Sequence, residues 1–318
     1  MLIYILFLLG FPLLIGGAYA TVRGASTLAL KLGISELVIG LTVVALGTSA
    51  PELLVSTFAA FKGSPDVGTG NIIGSNLSNL LLIIGIASLI TPLKMQKSIR
   101  RREIPFTLLA TLILLVLVND TILNGTDNNS LNLGDGIVLL GFFSIYLYYI
   151  FSLSKAGDEP VEKVETTSSI PLALLFLAAG IAGLGFGGQW LVDGASTIAA
   201  RLGMSEALIG LTVVALGTSL PELATSVTAA LRGQPDMAIG NVVGSNVFNI
   251  LWILGFSSVL HEVGFNISLN IDLLFLIFVT LLFFLFTFTG KKHQIDRVEG
   301  GIFLLFYALY IVFVVVRG

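Results

Sequence analysis

One segment occurs twice in this chain, as Ser35–Leu53 and again as Ser205–Leu223, and each copy lies within apolar sequence long enough to cross a membrane. The two copies are identical at 16 of 19 positions, and we call the spacing that separates Ser35 from Ser205 the repeat offset. Each copy carries one glutamate, Glu52 or Glu222, directly after a proline. An ionisable residue at membrane depth is unfavourable by roughly 3 kcal/mol or more, so it indicates a functional site. Glutamates at corresponding positions of two halves are typical of a transporter whose site lies between structural repeats.

Composition places the chain among membrane proteins. Hydrophobic residues make up 55% of the sequence and charged residues 11%, whereas soluble domains are about one-quarter charged. A membrane-spanning helix needs about 20 apolar residues. Ten stretches approach or exceed this length, near residues 2–22, 37–61, 68–90, 104–123, 134–153, 170–192, 207–230, 238–260, 267–289 and 299–316. We therefore predict an all-α polytopic membrane protein with ten transmembrane helices.

The first apolar stretch has a second interpretation as a signal peptide, because Ala18–Ala20 resembles a cleavage site. However, no basic residue precedes the stretch, and Gly24–Thr27 is identical to Gly194–Thr197 at the same repeat offset. We therefore expect a retained helix.

Lysine and arginine predict the orientation, because cytoplasmic loops are enriched in both. Of the 16 such residues, 13 fall on the side reached after the first, third, fifth, seventh and ninth predicted spans, including Arg23, Lys31 and the run Lys94–Arg102. Both termini are thus predicted to face outward from a plasma (cytoplasmic) membrane. Five spans per half is an odd number, so residues 1–153 and 170–318 are predicted to be inverted repeats within one membrane domain. The polar segment 154–169 is predicted to join them as a cytoplasmic linker.

Several chemistries are excluded by what the sequence lacks. There are no cysteines, and the two histidines, His261 and His293, fall in predicted loops, so we expect no zinc site. The net charge of −3 indicates no nucleic-acid partner. No Ser/His or Cys/His combination lies within the spans, so we expect no enzyme activity and no cofactor. There is no nucleotide-binding loop, and ion gradients must therefore supply the energy for transport.

The two copies of the repeated segment, which we call the first polar motif (Gly40–Ser56) and the second polar motif (Gly210–Ser226), are predicted to be bent helices. Pro51 has no N–H, so the carbonyl of Gly47 loses its helical partner and the turn opens. Thr48 and Ser49 lie four and three residues before Glu52, which places all three side chains on one face. The second polar motif contains the same set: Gly217, Thr218, Ser219, Pro221 and Glu222.

A second pair of repeated segments follows the polar motifs. We call them the first asparagine motif (Gly70–Asn79) and the second asparagine motif (Gly240–Asn249). Polar residues four apart form one stripe on each helix, and they are Asn71, Ser75 and Asn79 in the first copy and Asn241, Ser245 and Asn249 in the second. Each motif also begins with a GxxxG pair, Gly70 with Gly74 and Gly240 with Gly244, which favours close approach of a neighbouring helix.

The first and sixth predicted spans are rich in glycine, which fits two interpretations. The glycines either allow the two helices to slide or let them pack closely, and they are Gly16, Gly17, Gly183, Gly185, Gly187 and Gly188.

The polar side chains within the spans provide a ligand set for a hard cation. Two carboxylates supply two negative charges, while hydroxyls, amides and freed carbonyls supply neutral oxygens. Calcium takes six to eight oxygens in flexible geometry, whereas magnesium usually keeps several waters. The set therefore suits calcium, sodium, or both in competition. The alternative for the glutamates is a buried pair of protonated carboxyl groups.

With these motifs, the sequence resembles the calcium/cation antiporter superfamily and, within it, the prokaryotic sodium/calcium exchangers. The resemblance covers essentially the whole chain and depends on the paired GTSxPE and GNxxGSN motifs. It implies two inverted five-helix halves with cation sites at the membrane centre. In the first half the implied ligands are the backbone oxygen of Ala45 and the side chains of Thr48, Ser49, Glu52, Ser75 and Asn79. In the second half they are the backbone oxygen of Ala215 and the side chains of Thr218, Ser219, Glu222, Ser245 and Asn249.

The sequence departs from two branches of this superfamily. Some exchangers, including the potassium-dependent ones, carry an acidic residue where this chain has Asn249, so potassium cotransport is not expected. Proton/calcium exchangers typically carry GNxxE where both copies here read GNxxG, which makes proton coupling less favoured.

We therefore expect a secondary active antiporter that exchanges sodium for calcium by alternating access, with Glu52 and Glu222 bridging the calcium and sodium sites. Its expected partners are calcium and sodium ions and membrane lipid. Two alternatives stay open: a calcium/proton exchanger, because glutamates can titrate, and a cation channel with a paired-glutamate constriction.

Overall fold

The computed structural model describes residues 2–61, 65–123, 125, 128–156, 169–203, 215–289 and 293–317. The chain is mostly helical. Within these residues, seven helices are long and apolar enough to cross a membrane, and a bent pair of shorter helices makes an eighth candidate. The predicted class of multi-pass helical membrane protein is thus confirmed.

The helices are labelled in chain order. They are α1 Leu2–Leu32, α2 Glu36–Ile39, α3 Ala45–Thr48, α4 Ala50–Phe61, α5 Pro65–Ser78, α6 Ile84–Ile90, α7 Ile104–Leu117, α8 Asp120–Leu123, α9 Leu133–Ala156, α10 Ile170–Arg201, α11 Ala215–Thr218, α12 Leu220–Leu231, α13 Pro235–Val247, α14 Gly255–Leu260, α15 Asn270–Phe286 and α16 Arg297–Arg317. Wider π-helical segments occupy Gly40–Val44, Asn79–Ile83, Ile99–Glu103 and Phe248–Leu254, and a 3-10 turn occupies Ile267–Leu269.

Two continuous helical rods form the centre of the protein. In the rods Val67–Ile90 and Pro235–Leu260, 78% and 83% of an apolar 18-residue stretch is buried, against 22% to 33% in the other five long helices. We call these rods the two central helices, and they carry the two asparagine motifs. The outer helices expose large apolar side chains such as Leu8 and Leu305, which is the surface expected to face lipid.

The first helix is longer than the sequence predicted. Arg23 and Lys31 were expected in a loop, but α1 continues through both and ends before Gly33, whose φ of +67° suits a helix C-terminus. The guanidinium of Arg23 lies 4.6 Å from the ring centroid of Phe176. The long arginine side chain thus places its charge against an aromatic face, and the helix does not need to end there. Similarly, α9 extends to residue 156, past the predicted start of the linker at 154, while residues 157–168 lie outside the described ranges.

Helices α1 and α10 pack with their backbones in contact. A Cβ added to Gly17 would lie 2.7 Å from the backbone nitrogen of Leu184, and one added to Gly187 would lie 2.7 Å from that of Leu14. Gly183 also lies in this contact. By contrast, a Cβ at Gly16 or Gly185 would meet no described atom within 4 Å. The close-packing interpretation of the glycine-rich spans is therefore confirmed for part of the predicted set.

This contact leads to a prediction about stability. Gly17→Ala should lower the melting temperature of the purified protein, because its methyl group would collide with backbone that cannot rotate away. Overpacking of this kind costs about 1–3 kcal/mol. The neighbouring Gly16→Ala is the matched control and should not lower it, since alanine favours a helix over glycine by about 1 kcal/mol. Equal melting temperatures for both variants would show that α1 and α10 do not touch as described.

Two short antiparallel ladders connect distant loops. Strand β1 (Leu93–Lys94) pairs with β4 (Gln294–Ile295), and β2 (Ser130–Leu131) pairs with β3 (Val263–Gly264). Each ladder joins a strand from the first half of the chain to one from the second. The two halves are thus interlocked outside the central helices as well as within them.

Candidate cation site

The first polar motif forms a broken helix with the bend that its proline predicts. Segments Glu36–Thr48 and Ala50–Phe61 meet at an angle of 47°. Ser49 lies at the break, with φ −82° and ψ +10°. In the second polar motif, Ser219 has nearly the same conformation, with φ −85° and ψ +1°. The two motifs therefore share one local geometry at this serine, although residues 210–214 of the second lie outside the described part of the chain.

The bend places the two glutamates in the protein interior. Glu52 and Glu222 are both 0% exposed. Ser49 Oγ donates to Glu222 Oε1 at 2.9 Å, and Ser75 Oγ donates to Glu52 Oε1 at 3.1 Å. Across the described residues, the ion pair found is that of Arg317 with Asp272. Neither buried carboxylate therefore has a cationic partner among those residues.

Several buried oxygens at this place have no hydrogen-bond donor among the described residues. They are Glu52 Oε2, Glu222 Oε2, Asn79 Oδ1, Asn249 Oδ1 and Ser245 Oγ. A buried polar atom without a partner usually costs about 1–3 kcal/mol, so a group of such oxygens in one place is suited to binding a cation. All five atoms are oxygens of the kind that calcium and sodium accept. No cluster of three or more His, Cys, Asp or Glu side chains occurs within the described ranges. The oxygens at this site therefore come from two carboxylates and from neutral hydroxyl and amide groups.

The serines connect the two halves of the site. Ser219 Oγ donates to Ser75 Oγ at 3.1 Å, and the amide nitrogen of Asn249 lies 3.3 Å from the same Ser75 oxygen. Since Ser75 in turn donates to Glu52, residues from both polar motifs and both asparagine motifs converge on one place. The predicted face of Thr48, Ser49 and Glu52 therefore meets its counterpart from the other half.

Each threonine of the site is held by an asparagine from the opposite half. Thr48 Oγ1 donates to Asn241 Oδ1 at 3.1 Å, and Thr218 Oγ1 donates to Asn71 Oδ1 at 3.1 Å. The two contacts are related by the same repeat offset that relates the sequence motifs. A polar atom from each half thus orients a predicted ligand of the other.

Comparison with known proteins identifies the family. Residues 2–152 and 172–316 match the family model described as sodium/calcium exchanger protein. The chain belongs to this family.

The match extends over 79% to 98% of this chain in two relatives and a solved structure. The sodium/calcium exchanger MaX1 of Methanosarcina acetivorans is 30% identical and aligns over 97% of each chain. The inner membrane protein YrbG of Escherichia coli (strain K12) is 35% identical, with 79% of this chain and 77% of YrbG covered. The solved structure of the sodium-calcium exchanger NCX_Mj is 35% identical, covers 98% of each chain and superimposes with a TM-score of 0.84.

In this exchanger, the backbone oxygens implied as ligands are less clearly placed than the side chains. The carbonyl of Ala45 accepts from the backbone nitrogen of Ser49 at 3.0 Å and lies 3.3 Å from Thr48 Oγ1. It is therefore engaged within its own helix; the carbonyl that Pro51 was expected to free is that of Gly47. Ala215 begins the described part of the second polar motif, at the start of α11.

Sequence reasoning missed two kinds of feature in the exchanger. The first is a support layer: Asn71 and Asn241 bind Ser56 and Ser226, whose hydroxyls donate to backbone carbonyls of the following helix. The signal for these serines was present, since they are related by the repeat offset. The second is the pair of π-helical segments that contain Asn79 and Asn249. Such wide turns are frequent at functional sites, but no local residue pattern predicted them.

The GxxxG pair of the second asparagine motif brings two helices together, as predicted. A Cβ at Gly240 would lie 2.8 Å from the carbonyl oxygen of Leu37, and one at Gly244 would lie 2.8 Å from that of Leu41. The first polar motif thus packs directly on the second asparagine motif. A Cβ added to Gly70 or Gly74 would meet no described atom closer than 4.0 Å, and residues 207 and 211, the counterparts of Leu37 and Leu41 in the sequence repeat, lie outside the described residues.

Proposed function

We propose that this exchanger moves calcium against sodium as a secondary active antiporter that works by alternating access. The observation that supports it most strongly is the pair of fully buried glutamates, Glu52 and Glu222, with no cationic partner among the described residues. Two carboxylates balance the charge of one calcium ion. Sodium ions occupying overlapping positions displace calcium, because both cations need the same carboxylates.

The proposed ligands come from both halves. The carboxylates bind the cations most strongly, since their charge acts in a poorly hydrated interior. Hydroxyl and amide oxygens complete the shells, together with two backbone oxygens. The full proposed set is Ala45, Thr48, Ser49, Glu52, Ser75, Asn79, Ala215, Thr218, Ser219, Glu222, Ser245 and Asn249. Support for the set comes from the convergence of its polar side chains on Ser75 and from their unpartnered oxygens.

The proposed architecture is ten spans in two inverted halves, residues 1–153 and 170–318, joined by the cytoplasmic linker 154–169. Hydrogen bonds that recur at the repeat offset, such as Thr48 with Asn241 and Thr218 with Asn71, support this internal symmetry. Lysine and arginine counts support outward-facing termini in a plasma membrane. The relative YrbG is named as an inner membrane protein, which agrees with that location.

The function is tested by counterflow in reconstituted vesicles loaded with calcium. External sodium should accelerate calcium efflux severalfold over external choline, because sodium entry drives calcium exit in an antiporter. A channel would release calcium at the same rate in either salt, and a calcium/proton exchanger would respond to a pH gradient instead. Either outcome would contradict sodium/calcium exchange.

The same assay tests independence from potassium. Replacing potassium by choline at fixed sodium should leave the calcium flux unchanged, because the side chain at position 249 is a neutral amide, which binds a monovalent ion less strongly than a carboxylate. Asn249→Asp is the matched variant and should change the ion dependence, since it adds a charge beside Ser75. A strict potassium requirement in the unmodified protein would contradict the role proposed for Asn249.

A further inference from the structure

Two asparagines that have no place in the ligand set join the two central helices at the site. The side-chain nitrogen of Asn76 donates to the backbone carbonyl of Asn246 at 3.3 Å, and that of Asn246 donates to the backbone carbonyl of Asn76 at 3.4 Å. Both residues are 0% exposed. The arrangement is reciprocal, and each residue is the counterpart of the other at the repeat offset.

These hydrogen bonds to backbone carbonyls fix the orientation of the side-chain amides of Asn76 and Asn246. A backbone carbonyl can only accept, so the NH₂ group of Asn76 and of Asn246 must point at it. The Oδ1 atoms of both residues are thereby left as acceptors. Asn246 Oδ1 accepts from Asn79 Nδ2 at 2.9 Å, and Asn76 Oδ1 accepts from Asn249 Nδ2 at 2.9 Å.

The fixed amides of Asn76 and Asn246 also orient two proposed ligands, Asn249 and Asn79. Asn246 holds the NH₂ group of Asn79, and Asn76 holds that of Asn249 together with Ser75 Oγ. The Oδ1 atoms of Asn79 and Asn249 must therefore point the other way. Those are two of the buried oxygens that have no donor among the described residues. A backbone carbonyl can only accept, so it fixes the orientation of the asparagine amide that donates to it. That amide in turn fixes the orientation of the ligand amide, whose Oδ1 atom is left available to a cation.

We propose that Asn76 and Asn246 are positioning residues, which hold the amides of Asn249 and Asn79 with their oxygens toward the bound cation. This inference rests on the proposed function, because it concerns the ligands of the same site. A reversed amide would present its positive NH₂ group to the cation. An asparagine ligand therefore needs a fixed orientation, whereas an aspartate presents an oxygen in either orientation.

That difference supplies the test. Calcium affinity is measured by equilibrium binding to the purified full-length exchanger in a sodium-free choline buffer. Asn246→Leu removes the acceptor for Asn79 and should weaken calcium binding about tenfold, the lower end of the loss seen when partners of metal ligands are removed. In an Asn79→Asp background, Asn246→Leu should change the affinity by less than twofold. In an Asn249→Asp background, the tenfold loss should remain, because Asn249 is oriented by Asn76.

Two control variants separate orientation from packing. Asn246→Asp keeps an oxygen that accepts from Asn79, and it should retain calcium affinity within about threefold of the unmodified protein. Asn119 and Asn270 form another reciprocal amide pair, at 3.0 and 2.6 Å, away from the site. Asn270→Leu breaks that pair and should leave calcium affinity unchanged. If Asn246→Leu does not fold, Asn76→Leu is measured with the backgrounds exchanged. Its loss of affinity should be smaller, because Ser75 still accepts from Asn249, and Asn249→Asp should remove that loss.

An equal loss of affinity in all three backgrounds would overturn the proposal, because it would assign Asn246 a role in packing alone. Unchanged affinity in folded Asn246→Leu would overturn it as well. The proposed function fails by a different result, namely calcium binding by the unmodified protein without acceleration of calcium efflux by sodium.

Discussion

Glu52→Gln and Glu222→Gln are each expected to abolish sodium-driven calcium uptake into reconstituted vesicles, with a loss on the order of a hundredfold or more. Either substitution leaves one carboxylate for a divalent ion in a site that is fully buried. Calcium binding should suffer more than sodium binding, because the attraction scales with the charge of the ion. The measurement is initial calcium uptake at fixed sodium gradient, together with the equilibrium affinity for each ion.

Glu103→Gln is the matched control for this prediction. Glu103 is also a helical glutamate with 0% exposure, and like the two site glutamates it has one hydrogen-bonded oxygen, here with the hydroxyl of Tyr149, and one oxygen without a described partner, but it lies apart from the site. Its replacement should leave uptake within about twofold. Normal uptake in either Glu52→Gln or Glu222→Gln would contradict the proposed function, as would an equal loss in all three variants.

Protons should compete with calcium for the same two carboxylates. Protonation removes the charge that binds the cation, so transport should fall steadily as the pH is lowered equally on both sides of the vesicle membrane. Raising calcium should restore the flux at a given low pH, since calcium and protons exclude each other from Glu52 and Glu222. The expected result is an apparent calcium affinity that weakens with acidification while the maximal rate changes little.

The equal pH on both sides is the control that separates competition from proton-driven exchange. Inhibition at low pH that no calcium concentration relieves would show that protons act elsewhere in the exchanger. Calcium uptake driven by an imposed pH gradient in the absence of sodium would instead favour the calcium/proton alternative.

The parts of the site that sequence predicted are those with a local chemical cause. Pro51 predicted the break at Ser49 because a missing N–H affects its own turn, and the bend of 47° lies there. Helical spacing predicted that Thr48, Ser49 and Glu52 share a face. The internal repeat predicted that every such feature has a counterpart, and the hydrogen bonds of Thr48 and Thr218 repeat accordingly.

The parts that sequence did not predict depend on how helices meet. Asn76 belongs to the first asparagine motif, which is evident in the sequence. Its hydrogen-bond partner, Asn246, is revealed only by the packing of the two central helices against each other. The predicted end of α1 was too early, because the charge of Arg23 suggested a boundary and only the fold shows that the ring of Phe176 lies against it. The π-helical segments have no sequence signature, since the same residue types also form ordinary helix.

The hydrogen bonds that cross between the halves also place a demand on biosynthesis. The nascent chain delivers Thr48, Asn76 and Asn79 to the bilayer before the ribosome has made Asn241 and Asn246, which bind them in the finished protein. Until then, water or the insertion machinery has to solvate those polar groups, since lipid cannot. The first half is therefore a unit of sequence but not a unit of folding, and the native site forms only after translation has passed the second asparagine motif.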